Sequence, residues 1–171
     1  MYTPSLRSLL ARSVVAGLLA CAVSGVALAD PSLAERRAIT AYEQGIYASQ
    51  LKEIQAAAGF AVPVEVNWNS IALPDQADAY ASDDFWTNVY FVPLKQALAS
   101  VAADDMGKQA LKEKLKKITV RYDEASAPAS DYAAGIEFKG GTLALNFKPY
   151  SNSTDIEARA KAIQSALEAA L

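Results

Sequence analysis

The sequence contains no histidine and a single cysteine, Cys21, among its 171 residues. Without histidine, Ser-His-Asp and Cys-His catalysis, imidazole metal ligands and imidazole pH sensing are excluded. One cysteine excludes an intrachain disulfide and a multi-cysteine zinc site. A phosphate-binding loop, a dinucleotide-binding fingerprint and a G-x-S-x-G motif are also missing from the sequence. Carboxylates, lysines and aromatic side chains therefore remain as the groups available for chemistry or binding.

The first thirty residues have the composition of an export signal. Arg7 and Arg12 precede a small, apolar run over 13–26, and the Ala-Leu-Ala at 27–29 matches the small-x-small site of signal peptidase. The apolar run is short for a membrane span, which takes about 20 residues. A retained N-terminal membrane helix is the alternative interpretation, and we favour cleavage.

We therefore predict a cleaved secretory signal peptide over 1–29 and a single globular domain over 30–171, periplasmic or secreted. Removing 1–29 takes away two arginines and no acid, so the net charge changes from −3 to −5 and 142 residues remain. A second possibility is a lipoprotein anchored through Cys21, because the Leu-Leu-Ala-Cys at 18–21 resembles a lipobox. Nucleic acid is not expected as a partner of an acidic, exported chain.

Capping residues and spacing predict a long N-terminal helix between Ser32 and Gly59. Ser32 and Glu35 form a capping box, in which the hydroxyl and the carboxylate satisfy free backbone N–H groups. Gly59 suits the end of the helix, and Gly45 indicates close packing or a bend in its middle. The apolar stripe shifts by one position after Ile46; its members are Ile39, Tyr42, Ile46, Tyr47, Leu51, Ile54 and Ala58.

Alternation of apolar and polar residues predicts a first strand over 60–68 and a second over 118–122. Pro63 cannot donate to a ladder, so the first strand lies at a sheet edge or begins after Pro63. The segment 69–82 is predicted as a long loop, which is either functional or contains a short helix.

Apolar residues at helical spacing predict helices in the middle of the chain. The pattern over 84–102 fits either one helix kinked at Pro93 or two helices, the second opened by Pro93. Asp104 or Asp105 can cap a further helix. Near the C-terminus, Thr154 and Glu157 form a second capping box that begins a terminal helix.

The clearest local signal is a β-hairpin around Gly140 and Gly141. A two-residue Gly-Gly connection favours a type I′ turn, and alternating segments flank it on both sides. In that register the facing pairs are Phe138 with Leu143 and Ile136 with Leu145.

The order of elements predicts an α+β fold, because the strands cluster late instead of alternating with helices. It comprises a long N-terminal helix, a short strand, central helices, an antiparallel three-stranded meander that includes the Gly-Gly hairpin, and a C-terminal helix packed on the sheet. The sequence leaves the oligomeric state open.

Three lysines are the first candidate for a binding surface. Lys108, Lys112 and Lys116 recur every four residues, so they are predicted to share one helix face. With Lys114, Lys117 and Arg121, and opposed only by Glu113, they make a basic segment that could contact an anionic envelope protein or polymer. The alternative is an ordinary solvated helix face whose C-terminal cations suit the helix dipole.

Trp68 and Asn69 are the second candidate, because a tryptophan among hydrogen-bonding side chains at a strand end can form a ligand-facing rim. The alternative is that Trp68 completes the apolar face of the strand and Asn69 makes a local turn.

Carboxylates are the third candidate. Glu43, Glu65 and Glu137 lie on regular elements and could serve as a catalytic pair if two of them converge. An acidic segment over 75–105 could bind a divalent cation or could cap helices; its members are Asp75, Asp78, Asp83, Asp84, Asp104 and Asp105.

From these observations we favour a small exported, non-enzymatic domain with a binding, adaptor or inhibitory role. It has no predicted cofactor, metal site or catalytic residue. A small cell-envelope hydrolase with paired carboxylates is the alternative, and a divalent-cation-binding protein is the weaker one.

Overall fold

A computed structural model describes residues 31–171, so the predicted signal peptide, Cys21 and the lipobox-like segment lie outside the described residues. The described part begins with one continuous helical segment: α1 (Leu33–Tyr42), a π-helical turn (Glu43–Tyr47) and α2 (Ala48–Ala58). The predicted capping box is present, with the Ser32 N–H donating to the Glu35 carboxylate and the Glu35 N–H donating to the Ser32 hydroxyl. Gly59 ends the segment in the left-handed conformation, at a φ of 79°.

The π-helical turn explains the one-position shift of the apolar stripe. A π turn accommodates one extra residue in a helix, so Tyr42 and Tyr47, five positions apart, both lie on the buried face. Gly45 lies inside this turn, where a Cβ would meet nothing within 4 Å. Of the two predicted roles for Gly45, close packing is wrong, and the structure shows a π-helical turn at the place where a bend was the alternative.

Four strands form one mixed sheet in the order β1-β2-β4-β3. The strands are β1 (Val64–Val66), β2 (Lys117–Arg121), β3 (Ile136–Lys139) and β4 (Thr142–Asn146). β1 begins after Pro63 and lies at one edge, as the proline predicts. The hairpin between β3 and β4 is confirmed with its register, because Phe138 faces Leu143 and Ile136 faces Leu145.

The predicted three-stranded meander is wrong in its strand order, although the α+β class is confirmed. β2 pairs with β4 and runs parallel to it, and β3 lies outside β4 at the far edge. The parallel register aligns Ile118 with Leu143, which extends an apolar row across the middle of the sheet. β3 exposes Glu137 and Lys139, and charged side chains suit an edge strand.

The central helical segment is continuous through Pro93. A π-helix over Asp83–Phe91 runs directly into α4 (Val92–Val101), with the proline in the first turn of α4. The uninterrupted helical backbone agrees with one helix, and the position of Pro93 in the first turn of α4 agrees with the other alternative. The preceding loop contains α3 (Trp68–Ile71) and a 3₁₀ turn (Ala77–Ala79), as its length predicts.

Two more helices have defined starts. α5 (Asp105–Lys114) is capped by Asp104, whose carboxylate accepts a hydrogen bond of 2.8 Å from the Gly107 N–H. α6 (Ile156–Ala170) begins after Asp155, and the predicted capping box of Thr154 is wrong. The Asp155 carboxylate instead accepts a hydrogen bond from the Tyr132 hydroxyl, so the entry to α6 is fixed by a tertiary contact.

Within residues 31–171, one face of the sheet carries the core and the other face, which we call the open face, is partly or fully exposed. α4 packs between α2 and α6, and α6 also packs against β3, which confirms the C-terminal helix on the sheet. On the open face, Glu65, Thr119, Ala144 and Glu137 form one row across the four strands. Between residues 31 and 171, no helix combines the length and the apolar composition that crossing a membrane requires.

Candidate functional site

Trp68 lies within an aromatic cluster and is half-buried. The centre of its indole lies 5.0 Å from the Tyr47 ring, 5.3 Å from Trp86 and 5.9 Å from Tyr42. Asn69, its neighbour in α3, is exposed. The structure therefore places Trp68 in core packing and Asn69 on the surface, and it does not bring them together as one rim.

The three candidate carboxylates lie on three different elements. Glu43 lies in the π-helical turn of the first helical segment. Glu65 and Glu137 lie on the two edge strands, in the same row of the open sheet face. Three strand spacings separate them, about 14 Å, whereas a glycosidase pair needs about 5–10 Å. The arrangement does not favour catalysis by this pair.

The aspartates of the acidic segment lie largely at helix starts. Asp104 caps α5, and Asp83 and Asp84 lie in the first turn of the π-helix, where the helix dipole favours acids. Within residues 31–171, no three metal-ligating side chains come together as a possible metal site. Capping accounts for Asp104, and the position of Asp83 and Asp84 in a first helical turn, behind the cap residue Ser82, accounts for those two.

The lysines do not form the predicted three-residue helix face. α5 ends at Lys114, so Lys108 and Lys112 lie on the helix while Lys116 lies in the connection to β2. Leu115 causes this difference, because it is buried and extended, with a ψ of 110°, and turns the chain into the sheet. Lys108 forms an exposed ion pair with Asp105, at 3.2 Å.

The hairpin brings a further lysine to this connection. The Gly141 carbonyl accepts hydrogen bonds from the Lys116 N–H (2.7 Å) and the Lys117 N–H (3.2 Å). A Cβ at Gly141 would lie 2.9 Å from the Lys114 carbonyl oxygen, so the close approach of the two backbones requires glycine. Lys139, directly before the Gly-Gly turn, is thereby held near the end of α5.

We call Lys114, Lys116, Lys117 and Lys139 the hairpin basic surface. Lys117 and Lys139 flank Thr142 in one row of the open sheet face, about 10 Å apart at two strand spacings. In the described part of the chain, Lys117 pairs with Glu65 at 3.0 Å and the other three lysines make no ion pair. Lys139 is the member that sequence reasoning missed; its position beside the turn was the available signal.

A buried arginine, Arg159 on α6, was also missed. Its guanidinium lies 4.4 Å from the centre of the Tyr132 ring and donates to the carbonyls of Ser151 and Asn152. Desolvation lowers the pKa of Arg159, and the nearby Tyr132 and Asp155 oppose that shift. Arg159 therefore holds the segment between β4 and α6 in place, which is a structural role.

A scan against protein-family models and searches of curated proteins and of solved structures found no match to this chain.

Proposed function

We propose that this protein is a small exported, non-enzymatic binding or adaptor domain that docks an anionic envelope partner, a protein or a polymer, on the hairpin basic surface. The observation that carries this proposal is the convergence of four lysines, from the end of α5, the α5–β2 connection, β2 and the end of β3, at one end of the sheet. Export rests on the sequence of the first thirty residues.

The electrostatics of the surface support this role. The chain has a net charge of −3, so a compact positive region is a local reversal of the overall charge. Such a region attracts anions over distances of about a Debye length and raises the association rate at low salt. Exposed lysines contribute mainly to encounter and orientation, so binding should weaken steeply as salt is added.

Polyglutamate labelled with a fluorophore is a suitable probe, and its anisotropy reports binding to the purified protein. We expect the double variant Lys114→Glu/Lys116→Glu to bind at least about tenfold more weakly, a difference equivalent to about 1.4 kcal/mol. The matched control, Lys52→Glu/Lys148→Glu, changes the net charge equally at exposed positions elsewhere, and it should retain most of the binding.

Equal weakening in both double variants would show that only net charge matters, and it would contradict a defined surface. Unchanged binding in the first variant would contradict the proposal altogether. Pull-down from an envelope extract with the same two variants then identifies the physiological partner, which should be retained by the control and lost by the first variant.

A further inference from the structure

The β3 edge of the sheet has no strand partner in the part of the chain that the structure describes. β3 pairs with β4 on one side and with no strand on the other. In a two-residue hairpin the residues that flank the turn form a hydrogen-bonded pair, and such pairs alternate along the ladder. Lys139 and Glu137 therefore direct their peptide groups to β4, and Ile136 and Phe138 direct theirs outward.

A groove lies beside this edge. It has a volume of about 440 Å³ and is lined largely by small side chains of α6, together with Ala133 just before β3. Ile136 and Phe138 are only half-buried on this side of the sheet. The outward peptide groups of Phe138 and the partly exposed side chains of Ile136 and Phe138 lie on this edge, whereas the Ile136 N–H already donates to the Ala133 carbonyl. The α6 residues that line the groove are Ala158, Lys161, Ala162, Ser165 and Ala166.

The charge pattern of β3 is complementary to itself. If two copies of β3 run antiparallel with a two-fold axis at Phe138, the outward peptide groups of Phe138 pair with those of the other copy. Glu137 then faces Lys139 of the other copy, and the symmetry makes this pair twice. Both are non-hydrogen-bonded positions, where the side chains approach most closely.

The neighbouring register is unfavourable. An axis at Glu137 would also align the outward peptide groups, but it would place Glu137 directly against its own copy. Like charges directly opposite one another destabilise a strand pair. The alternation of Glu137 and Lys139 therefore selects the axis at Phe138.

We propose that a second copy of this chain occupies the β3 edge, in a symmetric dimer with one continuous eight-stranded sheet. The same patch is used by both copies, as a two-fold interface requires. The α6 helices face each other across the axis, and their small side chains allow a close approach. This dimer shares Lys139 with the hairpin basic surface, whereas Lys114 and Lys116 lie on the β2 side of the hairpin. Glu137→Lys therefore tests the dimer, and Lys114→Glu/Lys116→Glu tests the anionic partner.

The test is analytical ultracentrifugation of the purified protein over a range of concentrations. The parent protein should sediment as a dimer that dissociates on dilution. Glu137→Lys and Lys139→Glu should each weaken dimerisation by at least about tenfold, because each replaces two opposite-charge pairs by two like-charge pairs. Within the chain these residues face the neutral Ala144 and Thr142, so neither variant should affect folding.

Mixing the two single variants provides the decisive measurement. In the mixed dimer, one copy carries lysine at both charged positions of β3 and the other copy carries glutamate at both. Every facing pair is then of opposite charge, so the mixture should associate at least about tenfold more tightly than either variant alone. The double variant Glu137→Lys/Lys139→Glu should likewise regain the parent affinity.

Circular dichroism of each variant verifies folding. A parent protein that stays monomeric at its highest soluble concentration overturns the proposal, as does a dimer that the single variants leave intact or that mixing fails to restore.

Discussion

A buried hydrogen bond of 2.8 Å between the hydroxyls of Tyr42 and Thr87 joins the N-terminal helical segment to the central π-helix. The two residues are 2% and 4% exposed, and desolvation raises the pKa of Tyr42 well above its ordinary value, so the phenol stays protonated. Tyr42→Phe and Thr87→Val each remove one hydroxyl and retain the shape of the side chain. They form a double-mutant cycle that measures this single contact.

Each single substitution leaves the other hydroxyl buried without its partner, which costs about 1–3 kcal/mol of unfolding free energy. The double variant removes both hydroxyls and leaves no buried polar group without a partner. Its loss of unfolding free energy should therefore be smaller than the sum of the losses in the two single variants. We expect a coupling energy of about 1 kcal/mol or more, typical of residues in direct contact. The ring of Tyr42 remains packed 4.9 Å from Trp86 in every variant that retains an aromatic side chain there.

Urea unfolding followed by tryptophan fluorescence is the assay, because Trp68 and Trp86 both contact the Tyr42 ring. Thr40→Val is the matched control: this threonine is exposed, and its hydroxyl bonds only to its own helix. The control should stay within about 0.5 kcal/mol of the parent. If the losses of unfolding free energy are additive and the coupling energy is near zero, the hydrogen bond does not stabilise the contact between the two helical segments and the prediction is refuted.

Three further predictions concern other features. Gly45→Ala should stabilise the protein by about 0.5–1 kcal/mol, because the added methyl group meets nothing within 4 Å and alanine favours the helix. Gly141→Ala should destabilise the protein. Urea unfolding measures both changes in unfolding free energy, and a destabilised Gly45→Ala with a stabilised Gly141→Ala would contradict this prediction. Glu35→Gln should cost stability at pH 7, since hydrogen bonds from Ser32 hold the pKa of Glu35 below its ordinary value of 4.5. This loss of unfolding free energy should shrink as the pH falls below about 4.5 and through the lowered pKa, where the parent carboxylate becomes protonated. A loss that stays constant from about pH 7 to pH 3 would contradict the prediction. Tyr90→Phe should lower the unfolding free energy by about 1–3 kcal/mol with unchanged circular dichroism, because it leaves the buried Phe147 carbonyl without its hydroxyl donor. An unchanged unfolding free energy would contradict a stabilising role for this hydrogen bond.

Local chemistry predicted the parts of the fold that depend on neighbours in sequence. The Ser32–Glu35 capping box and the Gly-Gly hairpin each satisfy backbone groups within a few residues, so composition and spacing were sufficient. The shift of the apolar stripe after Ile46 was visible in the sequence, and the structure gives it a cause in the π-helical turn.

Contacts between distant segments could not be predicted in the same way. The strand order depends on whether Ile118 aligns with β3 or with β4, and alternation alone allows both. Lys139 joins the basic surface only because Gly141 contacts the backbone of a segment more than twenty residues earlier. Arg159 resembles any solvated helix residue until the segment before α6 folds over it.

The position of β4 also constrains the order in which the molecule can assemble. β4 is the last strand to be synthesised, yet it lies between β2 and β3 and pairs with both. Until residues 142–146 have emerged, β2 has a partner only in β1, and β3 has none. The β3–β4 hairpin closes the shortest loop in the sheet, so we expect it to form first and then recruit β2, whose pairing closes a longer stretch of chain. A chain that stops before Thr142 would therefore lose the centre of its sheet, although most of its sequence would already be present.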